Sequence, residues 1–403
     1  MKFSKSICII DAKRSAIGKF MGTLAGSDPA QISAQVIRGG FDASLIARVQ
    51  EVIVGNVYAA GLGQGVARKI AVLSGVPVES PAYSVNMVCG SGMQAVINGC
   101  MEICMGKDLV LAGGFEFMSN VPFAANGLRA GKKLGDFAMT DLILKDGLTD
   151  TFSGLHMGMT AENIAKKYDI TREAQDAFSW DALKKAIAAV DGGRFKDEIV
   201  PVTIKDKKGR ETVFDTDEHP NRTSTPEKIA SLSTAFLKDG TGTVTAANSS
   251  GINDGAAFVM LATEDFCREN GIEPLCTIKA GTTAGCDPQY MGLGPVYAVS
   301  SLVEETGIDF GSIETLELNE AFAAQALGTV RLLAQKYGTT EQEILSITNL
   351  CGSGLGLGHP LGATGARIIV TLSHFMKNEN KTRGVASLCI GGGMGAAVLL
   401  ERN

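Results

Sequence analysis

One pattern occurs twice in this chain, and it constrains the fold more than any other feature. Near residues 81 to 114 a β-like run enters a glycine-punctuated turn, VNMVCGSG. The chain then passes into a helix apolar on most sides (Ala95, Val96, Ile97, Cys100, Ile103, Cys104) and returns through the buried run DLVLAGG. Towards the C-terminus a run through SITNLCGSG enters the turn GLGHPLGATGAR, an apolar helix follows, and the chain returns through VASLCIGGGMG. Self-similarity at this interval predicts an α/β fold of two related βαβ-type halves, each a sheet with helices on its faces. The first turn carries Cys89 and the second His359, and the two are expected to face each other where the halves meet.

Between the repeats the pattern breaks. SICIID and EVIVGNVYA read as buried strands, and VARKIAVLSG as a helix after the turn GLGQG. From about residue 119 the composition becomes charged and glycine-dotted (GLRAGKKLGDFAMTDLILKDGLTD). An amphipathic helix, TREAQDAFSWDALKKAIAAV, and a turn-rich polar stretch follow before strand-like sequence resumes in GTVTAANSSGINDGAAFVMLA. The expected organisation is an N-terminal half, 1–118, with a return segment, 246–270; an inserted loop subdomain, 119–245; and a C-terminal half, 271–403. The insert's long loops are where a substrate-binding surface is expected.

Composition excludes several classes of function. A chain of 403 residues with 45% hydrophobic content suits a well-packed globular protein. A net charge of -6 argues against nucleic acid or an anionic membrane as the main partner. The opening MKFSKSICIIDAKRS lacks a basic-then-apolar leader, and no run reaches the roughly 18 apolar residues of a membrane span, so a soluble cytoplasmic protein is expected. Nine cysteines are an odd number with no CxxC pair, which points to reduced thiols and to neither a disulfide framework nor a metal site.

Four positions invite chemistry. Cys89 precedes a helix, where unpaired N–H groups and the positive end of the dipole are expected to lower its pKa towards the reactive range. Gly90 and Gly92 would let backbone amides approach a reacting carbonyl oxygen. His359 has Pro360 to open a helix and glycines around it, and its imidazole is placed to hold Cys89 as a thiolate and exchange its proton. Cys389, read alone, is a core cysteine at a strand end. Asn319, in NEAFAA, read alone is a helix cap.

Taken together, KRSAIGKFMGTL, GLGQGVARKIAVLSG, VNMVCGSGMQA, HMGMTAENIA, GTVTAANSSGINDGAA, MGLGPV, LNEAFAAQAL, GHPLGATGAR and CIGGGMG resemble the thiolase family in the same order over nearly the whole length. The biosynthetic acetyl-CoA acetyltransferase type is the nearest in pattern. The resemblance implies two βαβαβαββ halves layered α-β-α-β-α, with the inserted loop subdomain. It implies a ping-pong reaction in which Cys89 takes the acetyl group while His359 manages its proton. Cys389 then removes a proton from a second acetyl-CoA, giving acetoacetyl-CoA and CoA. His359 and a water held by Asn319 would form one oxyanion site, and the N–H groups of Cys89 and Gly391 the other. No cofactor or metal is implied; CoA thioesters are the small-molecule partners.

By the same resemblance His156, Met157, Ser250, Met291, Phe322 and Arg222 contact substrate or CoA. The HMG run is like the short-chain members, and Met157, Met291 and Phe322 would shorten an acyl pocket. A homotetramer, a dimer of dimers joined through GLRAGKKLGDFAMTDLILKDGL, is likewise implied. The chain departs from the family pattern in four places: CGSGLGLGHP where NGGAIALGHP is common, GGFEFMSN for GGMESMSN, Ser15-Ala16 for Thr-Pro, and Asn221 in the usual place of an adenine-contacting arginine, with Arg222 following. The alternatives are a broad-range 3-ketoacyl-CoA thiolase of fatty-acid β-oxidation, a decarboxylating condensing enzyme, and a non-catalytic acyl-CoA-binding relative. The second normally uses a histidine where this chain has Cys389; the third predicts loss of Cys89, His359 or Cys389, and all three are present.

Overall fold

The duplication read in the sequence is a duplication of structure. In the computed structural model, which describes residues 2–205 and 208–402, a ten-stranded mixed sheet runs through the molecule. Its main strands are β1 (Lys2–Arg14), β2 (Glu51–Gly55), β3 (Ala82–Val85), β4 (Leu109–Phe117), β5 (Asn253–Thr263), β6 (Cys276–Gly285), β7 (Thr315–Leu318), β8 (Arg383–Ile390) and β9 (Met394–Glu401). They lie in the order β7-β8-β9-β6-β1-β5-β4-β2-β3, with the short strand Gly18–Lys19 beside β5. At the centre β1 and β6 pair antiparallel, which joins the two half-sheets. Outward from that pair the sides match: β5 and β9 are antiparallel to it, β4 and β8 antiparallel to those, and β2 and β7 parallel to β4 and β8.

Helices cover both faces of each half, in the layered arrangement expected. On the outer side of the first half, Val36 and Ile37 (helix Pro29–Gly40) and Ile70 (helix Val66–Ser74) pack on Val52, Leu111 and Phe258. On the outer side of the second, Val299 and Leu302 (helix Gly294–Thr306) and Val330 (helix Ala323–Tyr337) pack on Leu316 and Val385. Between the halves lie the two repeated helices, α1 (Ser91–Cys104) and α2 (Leu361–Asn378), in one core with Ile53, Val110, Ile390 and Val398. This enclosure explains why most of α1 is apolar and why nearly all of α2 is buried, its polar residues Arg367 and His374 included. It also explains β5, whose eleven residues are all buried and whose stretch GAAFVMLA reads as an unbroken apolar run rather than an alternating one.

Residues of the insert join the cores of both halves. Val200, Val202 and Phe214 enter the first outer core, Ala161 and Ile164 the second, and Ala186 and Ala189 of the helix Arg172–Asp191 pack with Ile17 and Leu357. The insert is also tied to the end of β1 by a buried cation. The Arg14 guanidinium donates to Glu198 at 2.6 Å and to both oxygens of Asp217 at 2.7 and 2.9 Å. Among the described residues no helix is long and apolar enough to cross a membrane.

The close approach that Gly90 and Gly92 permit is between elements of the protein itself. A Cβ on Gly92 would lie 2.7 Å from the Gly362 carbonyl oxygen, and one on Gly90 would strike the Ile390 side chain. The N-termini of α1 and α2 therefore meet backbone to backbone. Gly92→Ala is expected to destabilise the fold by about 1–3 kcal/mol, because the obstructing atom is backbone and cannot rotate away. Urea unfolding measures this, and an unchanged midpoint would refute the account.

Candidate active site

The turn after β3 is built to present Cys89. Val88, a β-branched residue, is held at φ 48°, a conformation such side chains rarely adopt. Local hydrogen bonds fix it there: Val88 N–H donates to Asn86 Oδ1 (3.1 Å), Ser91 Oγ donates to the Val88 carbonyl (2.6 Å), and Met87 N–H donates to Ser91 Oγ (2.9 Å). In the other half, His359 is seated by its own N–H, which donates to Asn253 Oδ1 (3.0 Å). Past the end of β8, Gly392 and Gly393, at φ 85° and 86°, turn the chain back into β9.

These turns bring Cys89, His359, Cys389 and Gly391 to one cavity of about 190 Å³. His156, Met157, Ser250, Met291 and Phe322, singled out by resemblance, line the same cavity. Asn319 stands just behind it, fully buried, with Nδ2 3.5 Å from His359 Nε2 and Oδ1 left without a partner. The first half thus supplies one cysteine, and the second half the histidine and the other cysteine.

Hydrogen bonds assign the tautomers. Thr364 Oγ1 donates to the Pro360 carbonyl (2.9 Å), so its proton is committed and it accepts from His359 Nδ1 at 2.6 Å. His359 Nε2 is then the unprotonated nitrogen, able to accept. His156 Nδ1 accepts from Gly158 N–H (3.0 Å), which puts its proton on Nε2. His156 is further held by stacking on Phe236, with ring centroids 4.6 Å apart.

The expectation of a lowered Cys89 pKa is overturned. Burial pushes this thiol up to about 11, against the pull of its own N–H and that of Gly391, both aimed at the sulfur. Desolvation disfavours the charged form, and here it outweighs the helix N-terminus. Burial likewise lowers His359 to about 3, with Arg367 adding to the effect, and raises Cys389 well above the ordinary thiol value. The resting pair is a neutral thiol and a neutral imidazole. A thiolate forms when the proton can move onto Nε2.

A larger groove of about 400 Å³ adjoins the cavity, sharing Ser249 and Gly251 with it. Ser179 and Leu183 of the insert's long helix, with His219, Asn221 and Lys228, line this groove. Arg222 does not. Its guanidinium makes a two-point contact with the Asp191 carboxylate (2.8 and 2.7 Å) on the exposed surface, so the position expected to meet CoA is taken up elsewhere. Thr364, Phe236 and Lys228 were missed in the sequence. Only Thr364 carried a local signal, a hydroxyl in the first turns of the helix that follows the histidine.

The comparisons agree with this geometry. The chain matches the family model for the thiolase N-terminal domain over residues 7–265 and that for the thiolase C-terminal domain over residues 272–402. It is 43% identical over 405 residues to an acetyl-CoA acetyltransferase of Pseudomonas aeruginosa, covering 99% of this chain and 100% of that one. The solved acetyl-CoA acetyltransferase from Syntrophomonas wolfei superposes with a TM-score of 0.93 at 41% identity, covering 99% of this chain and 100% of the other. Human mitochondrial 3-ketoacyl-CoA thiolase does so with a TM-score of 0.90 at 37% identity, covering 99% of each. Matched along both halves and carrying two cysteines and a histidine at the junction between them, the chain belongs to the thiolase family of acyltransferases.

Proposed function

We propose that this protein is an acetyl-CoA C-acetyltransferase, condensing two acetyl-CoA to acetoacetyl-CoA plus CoA, reversibly and by a ping-pong route. The observation that carries the reading is the cavity of about 190 Å³ in which two cysteines meet a histidine with an unprotonated Nε2. Cys89 Sγ attacks the thioester carbonyl as its proton passes to His359 Nε2. The carbon–sulfur bond to CoA breaks, and CoA leaves with that proton. In the second half-reaction the Cys389 thiolate takes a proton from the methyl carbon of a second acetyl-CoA. The carbanion attacks acetyl-Cys89, forming the carbon–carbon bond and expelling the Cys89 thiolate. The N–H groups of Cys89 and Gly391 receive the oxyanion of the acetyl-enzyme, and a water held by Asn319 Oδ1 beside His359 donates to the enolate oxygen. The expelled Cys89 thiolate then takes the proton now on Cys389, which returns both cysteines to the states in which they began, and the chemistry as written calls for no metal or cofactor.

The groove beside the cavity is of a size to take the rest of CoA, and among the described residues Lys228 is the one lysine or arginine lining it. Lys228→Met is therefore expected to raise KM for acetoacetyl-CoA about fivefold, the worth of roughly 1 kcal/mol at an exposed site. Turnover number and KM for acetoacetyl-pantetheine, which lacks the nucleotide phosphates, should stay at wild-type values. Equal increases for both thioesters would remove Lys228 from phosphate contact. The loop expected to join subunits exposes Leu128, Leu134, Phe137 and Met139, which supports the tetramer as a proposal to be tested by sedimentation.

Similarity to a 3-ketoacyl-CoA thiolase favours one second reading, a broad-range enzyme of β-oxidation. Met157, Met291 and Phe322 against the acyl end support the short-chain reading instead. CoA-dependent loss of acetoacetyl-CoA absorbance, run beside a longer 3-ketoacyl-CoA at equal concentration, separates the two. Turnover of the short substrate alone fits the acetyltransferase; comparable turnover of both would replace it with the broad-range enzyme.

A further inference from the structure

One buried carboxylate near the reacting groups has no part in the chemistry above. Glu116, near the end of β4, is 1% exposed. It accepts four hydrogen bonds: at Oε1 from Asn56 Nδ2 (2.7 Å) and Tyr58 N–H (3.2 Å), and at Oε2 from Val57 N–H (2.9 Å) and Gly362 N–H (3.0 Å). Every partner is a donor, which favours the carboxylate, while burial opposes it and raises the carboxyl group's pKa to about 8.

The donors come from two places far apart in sequence. Three belong to the turn that follows β2. The fourth belongs to the first turn of α2, three residues after His359. The fit leaves no slack, since a Cβ on Gly362 would lie 2.8 Å from Glu116 Oε2 and 3.0 Å from Asn56 Cα. Val57 and Tyr58 of the turn and Leu361 of the helix belong, with Met118, to the cluster against which Cys89 packs. The carboxylate therefore joins the wall behind Cys89 to the helix start that carries His359.

We propose that Glu116 is a positioning residue that holds His359 Nε2 in register with the Cys89 sulfur. The proposal rests on the reading in which His359 takes the Cys89 proton. It gives an acidic residue outside the cavity a definite kinetic role: Glu116 should matter to proton transfer and not to substrate binding.

Glu116→Gln keeps the shape but presents an NH₂ to groups that are themselves donors, which should loosen the helix start by a fraction of an ångström to an ångström. A displacement of that size is expected to lower the rate of Cys89 acetylation by acetyl-CoA about 100-fold with KM within about twofold. The deciding measurement repeats the substitution in a His359→Ala background, with acetylation followed by mass spectrometry. There it should cost almost nothing further, because the group it positions is gone. A full 100-fold loss in that background, or wild-type acetylation by Glu116→Gln alone, would overturn the role. Should Glu116→Gln fail to fold, Asn56→Ala removes one of the four donors and decides the matter. A severalfold loss that vanishes without His359 supports the role, and no loss overturns it. A wild-type enzyme that turns over no acyl-CoA would instead overturn the functional reading, and this role with it.

Discussion

Cys89→Ala is expected to lower turnover of acetoacetyl-CoA at least about 10⁴-fold, since it removes the thiol proposed to carry the acetyl group between the two half-reactions. Cys89→Ser should do little better. The cavity already pushes the thiol up to about 11 and lowers its base, His359, to about 3, and an alcohol starts several units further from ionisation. The same two values predict how the wild-type thiol titrates. A thiolate–imidazolium pair would give alkylation by iodoacetamide a plateau from mildly acidic pH upward. A neutral pair gives a rate that rises about tenfold per pH unit from pH 7 to 9, because the thiolate is the nucleophile and its fraction grows with pH below its pKa. A plateau across that range would show that the helix N-terminus wins over burial after all.

Cys389→Ala is expected to separate the two halves of the reaction. Acetyl-Cys89 should still form from acetyl-CoA at close to the wild-type rate, while condensation falls by about 10³-fold or more for want of a base at the methyl carbon. Mass spectrometry of the protein after mixing with acetyl-CoA reads the first step, and acetoacetyl-CoA absorbance reads the second. Condensation at the wild-type rate would remove Cys389 from the mechanism. On the proposed mechanism, the upward push on Cys389 favours its thiol form, the one that would protonate the departing carbanion during thiolysis. Condensation requires that proton to be removed first.

The sequence by itself determined the two-half plan and the residues at its junction. Those features are local: a strand, a glycine-rich turn and an apolar helix are set by periodicity and turn chemistry within some thirty residues, and the pattern around Cys89 recurs around His359. Family resemblance added Cys389, Asn319 and the cavity wall, which alone read as core or cap. Tertiary structure decided the rest, because the rest depends on residues distant along the chain. Glu116 meets Gly362 across 246 positions, and Arg14 meets Asp217 across 203. Arg222 stays outside the groove because Asp191 holds it at the surface, and Lys228, which the sequence did not single out, lines it. Protonation was the least legible feature. A helix N-terminus is written in the sequence and favours a thiolate, but the depth at which the packed halves bury that sulfur is not, and burial is the larger effect.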